Sequence, residues 1–270
     1  MGSRSWNICW GHFRRVTTQD NVLPYIHAVT SSAVVKRKDF LGNAERVMRL
    51  LGPLGAIQLR SSEISGRRFY ELATELAPLQ EETGCWLIIN DRVDVAAGVG
   101  AKGVQLASHS LRVKEARTVA PYLAMGISIH SVEEAVAAEE EGATWVVAGT
   151  VFETPSHENR PGSRIPFIVE VAHAVRIPII AIGGIEPQHI SILKAAGAYG
   201  IATIRGAGWE PQAKRHDTDP TPGKTRIVGG FGAPAGEMIT RYISAYDWSS
   251  GSSREDHSDG ERRDTGDSAE

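Results

Sequence analysis

Between Tyr25 and Tyr246, eight short apolar runs alternate with eight helical patterns. The runs are Tyr25–Val29, Ala56–Leu59, Trp86–Ile89, Val104–Leu106, Leu123–Ile129, Ala143–Ala148, Ile179–Ile182 and Gly200–Ile204. Each is too short for a buried helix and suits a strand covered on both faces. The segments between them read as helices around Asp39–Leu51, Gly66–Thr83, Val93–Val99, Val113–Val119, Val132–Glu141, Phe167–Val175 and Pro187–Ala195, with Ala235–Tyr246 as the last. Strands that alternate with helices build a parallel sheet. Eight repeats in one chain predict an α/β fold, a single closed (β/α)8 TIM barrel, rather than an open doubly wound sheet.

The stretch from Ala124 to Thr154 shows one repeat clearly. An apolar run ends in Ser128-Ile129-His130, and Ser131 then caps a helix with Glu134 three residues on, the capping-box spacing. Gly142 closes that helix and the next strand runs to Gly149-Thr150. Polar groups therefore leave both strands at their C-terminal ends, the edge that carries ligands in α/β folds. Gly100-Ala101, Gly142-Ala143 and Gly197-Ala198 form an echo before strands four, six and eight. Glycine suits the left-handed position that ends a helix, and the small alanine lets the chain turn into the barrel.

Of the 270 residues, 41% are hydrophobic and 23% charged, which gives ample core for one large domain. A net charge of −3 lends no support to a broad nucleic-acid footprint. No apolar run approaches the roughly eighteen residues of a membrane span. Cys9 and Cys85 have no metal-ligand spacing, so a reducing, cytoplasmic setting is expected. Residues 1–21 are basic and lack an apolar signal core; they read as an arm ahead of the barrel, which takes residues 22–248. Residues 209–233, rich in Pro and Gly, are too long for an ordinary connection and read as a lid or a disordered insertion. Residues 249–270 carry seven acids, three arginines and no large apolar side chain, a composition that predicts a disordered acidic tail.

The candidate site residues follow from the barrel pattern. Gly183-Gly184-Ile185 follows the seventh strand and Pro187 opens the next helix, so backbone N–H groups and a helix N-terminus are offered to an anion. Arg205-Gly206 ends the eighth strand, where its guanidinium reaches the same phosphate. Gln58 and Arg60 share one phase of the second strand and point toward the barrel mouth. Asn90 and Asp91 end the third strand, Gln105 sits in the fourth, and Ser128 and His130 end the fifth. Polar side chains at consecutive strand ends converge on one cleft. His130 is the only His at such a strand end, and imidazole titrates near neutrality. His109 and His157 fall in loops of the same face and His27 lies within a strand. The spacing supports neither a Ser–His–Asp triad nor a metal cluster, and the Asp91/Asp94 pair reads as a helix start.

Taken together, several motifs make Val22–Arg205 resemble the thiamine phosphate synthase / thiazole tautomerase superfamily. They are Ile57-Gln58-Leu59-Arg60, Ile89-Asn90-Asp91-Arg92-Val93-Asp94, Gly103-Val104-Gln105-Leu106, Ser128-Ile129-His130-Ser131, Val151-Phe152-Glu153-Thr154-Pro155 and Ala181-Ile182-Gly183-Gly184-Ile185. The synthase branch joins a pyrimidine diphosphate to a thiazole phosphate and resembles other Mg²⁺-dependent diphosphate chemistry. Its pattern has a Lys where this chain has Ser62, a second acidic metal ligand in the region of Ser108-His109-Ser110, and a Lys after the Thr154 loop, where His157 follows. The tautomerase branch moves a proton on a carboxylated thiazole phosphate and needs no metal; its signature His matches His130. The resemblance therefore implies an isomerase of thiamine biosynthesis with His130 as the acid–base residue and no cofactor. In it Gln58, Arg60, Asn90, Gln105, Ser128 and Thr154 hold the substrate, and Gly183, Gly184, Arg205 and Gly206 its phosphate. Two alternatives are a divergent Mg²⁺-dependent synthase, with Asp91 as the retained metal ligand, and a non-catalytic barrel that binds a phosphorylated ligand. The implied partner is a small phosphorylated thiazole, with neither nucleic acid nor membrane, and self-association is left open.

Overall fold

The computed structural model describes residues 22–107, 110–153, 164–209 and 235–246. The expected arm, the acidic tail, the insertion beyond Trp209 and the residues Thr154, His109 and His157 lie outside them.

Eight parallel strands close into a barrel in chain order. They are β1 (Ile26–Val29), β2 (Gly55–Leu59), β3 (Trp86–Asn90), β4 (Gly103–Leu106), β5 (Ala124–Ile129), β6 (Trp145–Gly149), β7 (Ile179–Ile182) and β8 (Gly200–Thr203). Closure is made by β1 against β8, with His27 opposite Ala202. The helices are α1 (Ser32–Val35), α2 (Phe40–Leu51), α3 (Gly66–Leu76), α4 (Leu79–Thr83), α5 (Val93–Val99), α6 (Val113–Val119), α7 (Val132–Glu140), α8 (Ile165–Ala174), α9 (Ile190–Ala195) and α10 (Ala235–Ala245).

The period of two along each strand divides the apolar residues between two layers. Outward residues such as Ile57, Leu59, Leu87, Ile89, Val104, Val146 and Ala181 pack with the buried stripes of the helices. Inward residues Val29, Ala56, Trp86, Ile88, Trp145, Val147, Ile180 and Ala202 fill the interior. The barrel is thus a packed core below and a cleft above. Gly100, Gly142 and Gly197, the echoed helix ends, take positive φ values of 68°, 87° and 95°, as their placement before β4, β6 and β8 requires.

Four local readings change. The helix expected over 66–83 is two helices, because Pro78 has no N–H for the carbonyl of Thr74. A short helix, α1, follows β1 with Ser31 accepting from the Val34 N–H at 3.4 Å. Pro187 opens a 3₁₀ turn, Pro187–His189, ahead of α9, so the dipole at that position is weaker than a full helix would give. The capping box at Ser131 is half realised: Ser131 Oγ accepts from Glu134 N, but the Glu134 carboxylate accepts the His130 N–H at 2.5 Å.

Candidate active site

A cleft of about 1640 Å³ opens at the C-terminal ends of the strands. Gln58, Arg60, Asn90, Gln105, Ser128, His130, Gly183, Gly184, Arg205 and Gly206 all line it. The sequence therefore brought together every candidate that lies within the described residues. Met238, Arg241 and Tyr242 of α10 also line the cleft. They were missed because a helix far along the chain meets the barrel mouth only through closure of β8 on β1.

The polar floor is a directed network. Gln58 Nε2 donates to Asn90 Oδ1 at 2.9 Å, and Asn90 Nδ2 donates to Asp91 Oδ2 at 2.7 Å. Asp91 sits in the left-handed region at φ 61°, an unusual conformation that Asp tolerates better than most residues. Its other oxygen, Oδ1, accepts the Ala107 N–H at 2.8 Å and the Ser110 hydroxyl. The carboxylate thus ties the loop after β3 to the loop after β4.

This arrangement bears on the Mg²⁺ that the synthase branch implies. Such a site needs acidic oxygens free toward the cleft, with one or two carboxylates joined by substrate phosphates. Here Asp91 accepts three hydrogen bonds from the protein, and Ser110 donates where a second acid is expected. No group of three or more His, Cys, Asp or Glu side chains suited to a metal occurs among the described residues. The donor set does not fit a dedicated Mg²⁺ site.

On the next strand, Gln105 is buried, its Oε1 accepting from the Trp145 indole at 2.9 Å. Its Nε2 donates to Ser128 Oγ at 3.3 Å. His130 lies at the rim, exposed. Its backbone carbonyl accepts from Arg164 Nη2 at 3.3 Å, which ties the chain there to the start of α8, and His130 lines the cleft.

The expected phosphate cradle is present in shape. Gly183 and Gly184 have φ of 104° and 61°, so side chains there are strained whatever the space. A Cβ on Gly184 would also lie 2.8 Å from the Phe152 carbonyl oxygen, so the loop after β6 presses on this turn. The Gly184 N–H has no acceptor among the described residues, which leaves it for an anion. Gly206 differs from expectation: its N–H donates to Thr203 Oγ1 at 3.0 Å, so it offers room rather than a donor. Tyr242 Oη donates to the Ile185 carbonyl at 2.7 Å and so links α10 to the turn after β7. Arg205 is exposed at the edge of this turn pair, and Glu186, after β7, also lines the cleft.

Fold and cleft place this chain among the (β/α)8 barrels that gather their polar residues at the C-terminal ends of the strands. The comparisons narrow that class. Residues 26–207 match the family model described as thiamine monophosphate synthase. The chain is 39% identical over 155 residues to the thiamine-phosphate synthase of Pyrococcus abyssi, covering 57% of this chain and 75% of that one. It is 36% identical over 179 residues to the thiamine-phosphate synthase of Pyrococcus horikoshii, covering 66% and 84%. In structure it is similar to thiamine phosphate pyrophosphorylase from Pyrococcus furiosus, with a TM-score of 0.64, 27% identity, and coverage of 82% and 94%. The chain belongs to the thiamine monophosphate synthase family, a family of thiamine biosynthesis enzymes. No helix among the described residues is long and apolar enough to cross a membrane.

Proposed function

We propose that the chain joins a pyrimidine methyl diphosphate to a thiazole phosphate, releasing pyrophosphate. This revises the isomerase expectation, since the two sequence relatives compared bear the synthase name, the solved structure the pyrophosphorylase name, and none of them the tautomerase name. The observation that carries the proposal is the match to the family model over residues 26–207, a span that includes all eight strands whose ends line the cleft, from β1 to the turn after β8. The size of the cleft agrees with it, because about 1640 Å³ exceeds the upper range of roughly 1,000 Å³ for a single small-ligand site.

In this reading the thiazole nitrogen forms a C–N bond to the exocyclic methylene of the pyrimidine. The C–O bond to the diphosphate breaks, and its electron pair leaves on the diphosphate oxygen. No proton has to be removed, so the protein's part is positioning and charge stabilisation. Gly184 N–H and Arg205 take the phosphate of the thiazole. Arg60, at the end of β2, faces the charge that gathers on the leaving group. Gln58, held by Asn90, turns its free carbonyl to the cleft as an acceptor for an amino group.

A second reading is favoured by two observations. Ser110 satisfies Asp91 from within the protein, and Ser62 stands where the synthase pattern has a Lys, so the diphosphate side of the cleft is depleted. An isomerase acting on a carboxylated thiazole phosphate needs neither, and His130 would carry the proton. Incubation with each substrate set, followed by mass spectrometry of the products, separates the two. Thiamine phosphate formed from the two-substrate set supports the first reading. An aromatised thiazole formed from the carboxylated substrate alone, with no coupled product, replaces it with the second.

A further inference from the structure

We propose that Trp145, deep in the barrel, is a positioning residue that fixes the direction of the hydrogen bond Ser128 offers to the ligand. The inference deepens the reading of the cleft as a ligand site, on which it rests.

The barrel register sets up the contact. Gln105 of β4 lies opposite Gly126 of β5, and Gly126 lies opposite Trp145 of β6. Because Gly126 has no side chain, the indole passes over it to reach the amide two strands away. A Cβ on Gly126 would overlap both the indole and Gln105 Oε1, and one on Gly103 would lie 3.1 Å from the indole ring. The ring is fully buried and His27 supports it edge-on, with centroids 5.9 Å apart and planes at 82°.

The chemistry of the groups then gives a direction. An indole nitrogen only donates, so the atom of Gln105 that faces Trp145 must be its oxygen. An isolated amide has two orientations; this one has a single satisfied orientation. Its Nε2 is therefore turned to Ser128 Oγ and to the Leu106 carbonyl, at 3.3 and 3.2 Å. Ser128 Oγ, already accepting from Gln105, has its hydroxyl hydrogen left to donate. Ser128 lines the cleft, two residues along β5 from Gly126 on the same face. The relay thus presents a directed donor, and the ligand atom it meets is an acceptor: a phosphate or carboxylate oxygen or a ring nitrogen.

The test is a double-mutant cycle on binding of 4-methyl-5-(2-hydroxyethyl)thiazole phosphate, joined to exchange of the Gln105 side-chain amide protons. Those resonances are assigned by their loss in Gln105→Met. Trp145→Phe and Gln105→Met should each weaken binding about tenfold, the loss of one to two ordinary hydrogen bonds. The double variant should be within about twofold of either single one, since both break the same relay. Protection of the Gln105 amide from solvent exchange should fall at least tenfold in Trp145→Phe. Unchanged protection, or losses that add in the double variant, would overturn the relay. If Trp145→Phe does not fold, Gln105→Glu keeps an acceptor for the indole and removes the donor to Ser128. Binding should then drop about tenfold while the Trp145 indole proton stays protected, and undiminished binding refutes the proposal. A wild-type protein that does not bind the thiazole phosphate defeats the functional reading instead. The exchange data alone then decide the relay.

Discussion

His27 makes the stability of this barrel depend on pH between about 6.5 and 4. Its ring is buried inside the barrel, where Nε2 meets the Pro24 carbonyl at 3.1 Å and the edge meets Trp145. Burial disfavours the imidazolium and pulls the pKa down from 6.5 to about 4, against the smaller raising effect of the Pro24 carbonyl. The unfolded chain takes up a proton near 6.5 while the folded chain resists it until about 4. Stability from this group is therefore whole above 6.5 and is lost as the pH falls through the window toward 4. Linkage makes the loss between pH 7 and pH 5 about 2 kcal/mol. For a domain of this size that lowers Tm by about 4–8 °C. The carboxylates held below their ordinary values, Asp39 and Asp94 by the guanidinium groups of Arg37 and Arg92, titrate below this window. His27→Gln keeps a donor for Pro24 and removes the titration. Scanning calorimetry of both proteins at pH 7 and 5 measures the effect as the difference between their Tm changes. Equal falls in the two proteins would show that His27 is not the group responsible.

Arg205→Ala should weaken binding of the thiazole phosphate by about 1.5 kcal/mol, the low end for a charged hydrogen bond at an exposed position, and leave the unphosphorylated alcohol unaffected. Titration calorimetry with both ligands reads this directly, and equal phosphate affinity would move the cradle elsewhere. His130→Asn should leave the coupling rate within a few-fold, because that reaction removes no proton; a fall of about 10²–10⁴ in kcat would favour the isomerase reading. Turnover should survive EDTA, since Asp91 is satisfied by Ser110, Ala107 and Asn90; activity lost on chelation and restored by Mg²⁺ would show that the carboxylate is released when substrate binds. Gly184→Ala should destabilise the fold by at least 1–2 kcal/mol from the left-handed backbone alone, and a chemical denaturation curve unchanged from wild type would contradict the strain argued for that turn.

The barrel was legible because its signals are local. Helix-ending glycines at 100, 142 and 197 and apolar runs between them fix where the chain turns, and period two along β2 places Gln58 and Arg60 at the mouth. Pro78 was open to the same local reading, since the missing N–H is a property of one residue, yet 66–83 was read as one helix and the break was missed. What else escaped depends on pairing between distant elements. The Asp91–Ser110 bond requires two loops to meet. Trp145 looks like any buried aromatic until the register sets Gly126 between it and Gln105. Gly206 reads as a free donor in sequence, and only the turn after β8 shows its N–H spent on Thr203. Met238, Arg241 and Tyr242 join the cleft through the closure of the barrel, which no short window contains.

The central claim is that one cleft holds two substrates and couples them. It is tested most directly by measuring pyrophosphate release from the purified full chain with both the pyrimidine diphosphate and the thiazole phosphate, and with each omitted in turn. The account predicts pyrophosphate and thiamine phosphate in equal amounts with both substrates present, and neither product when one is missing. No pyrophosphate with both substrates bound, or release that does not need the thiazole phosphate, would contradict it.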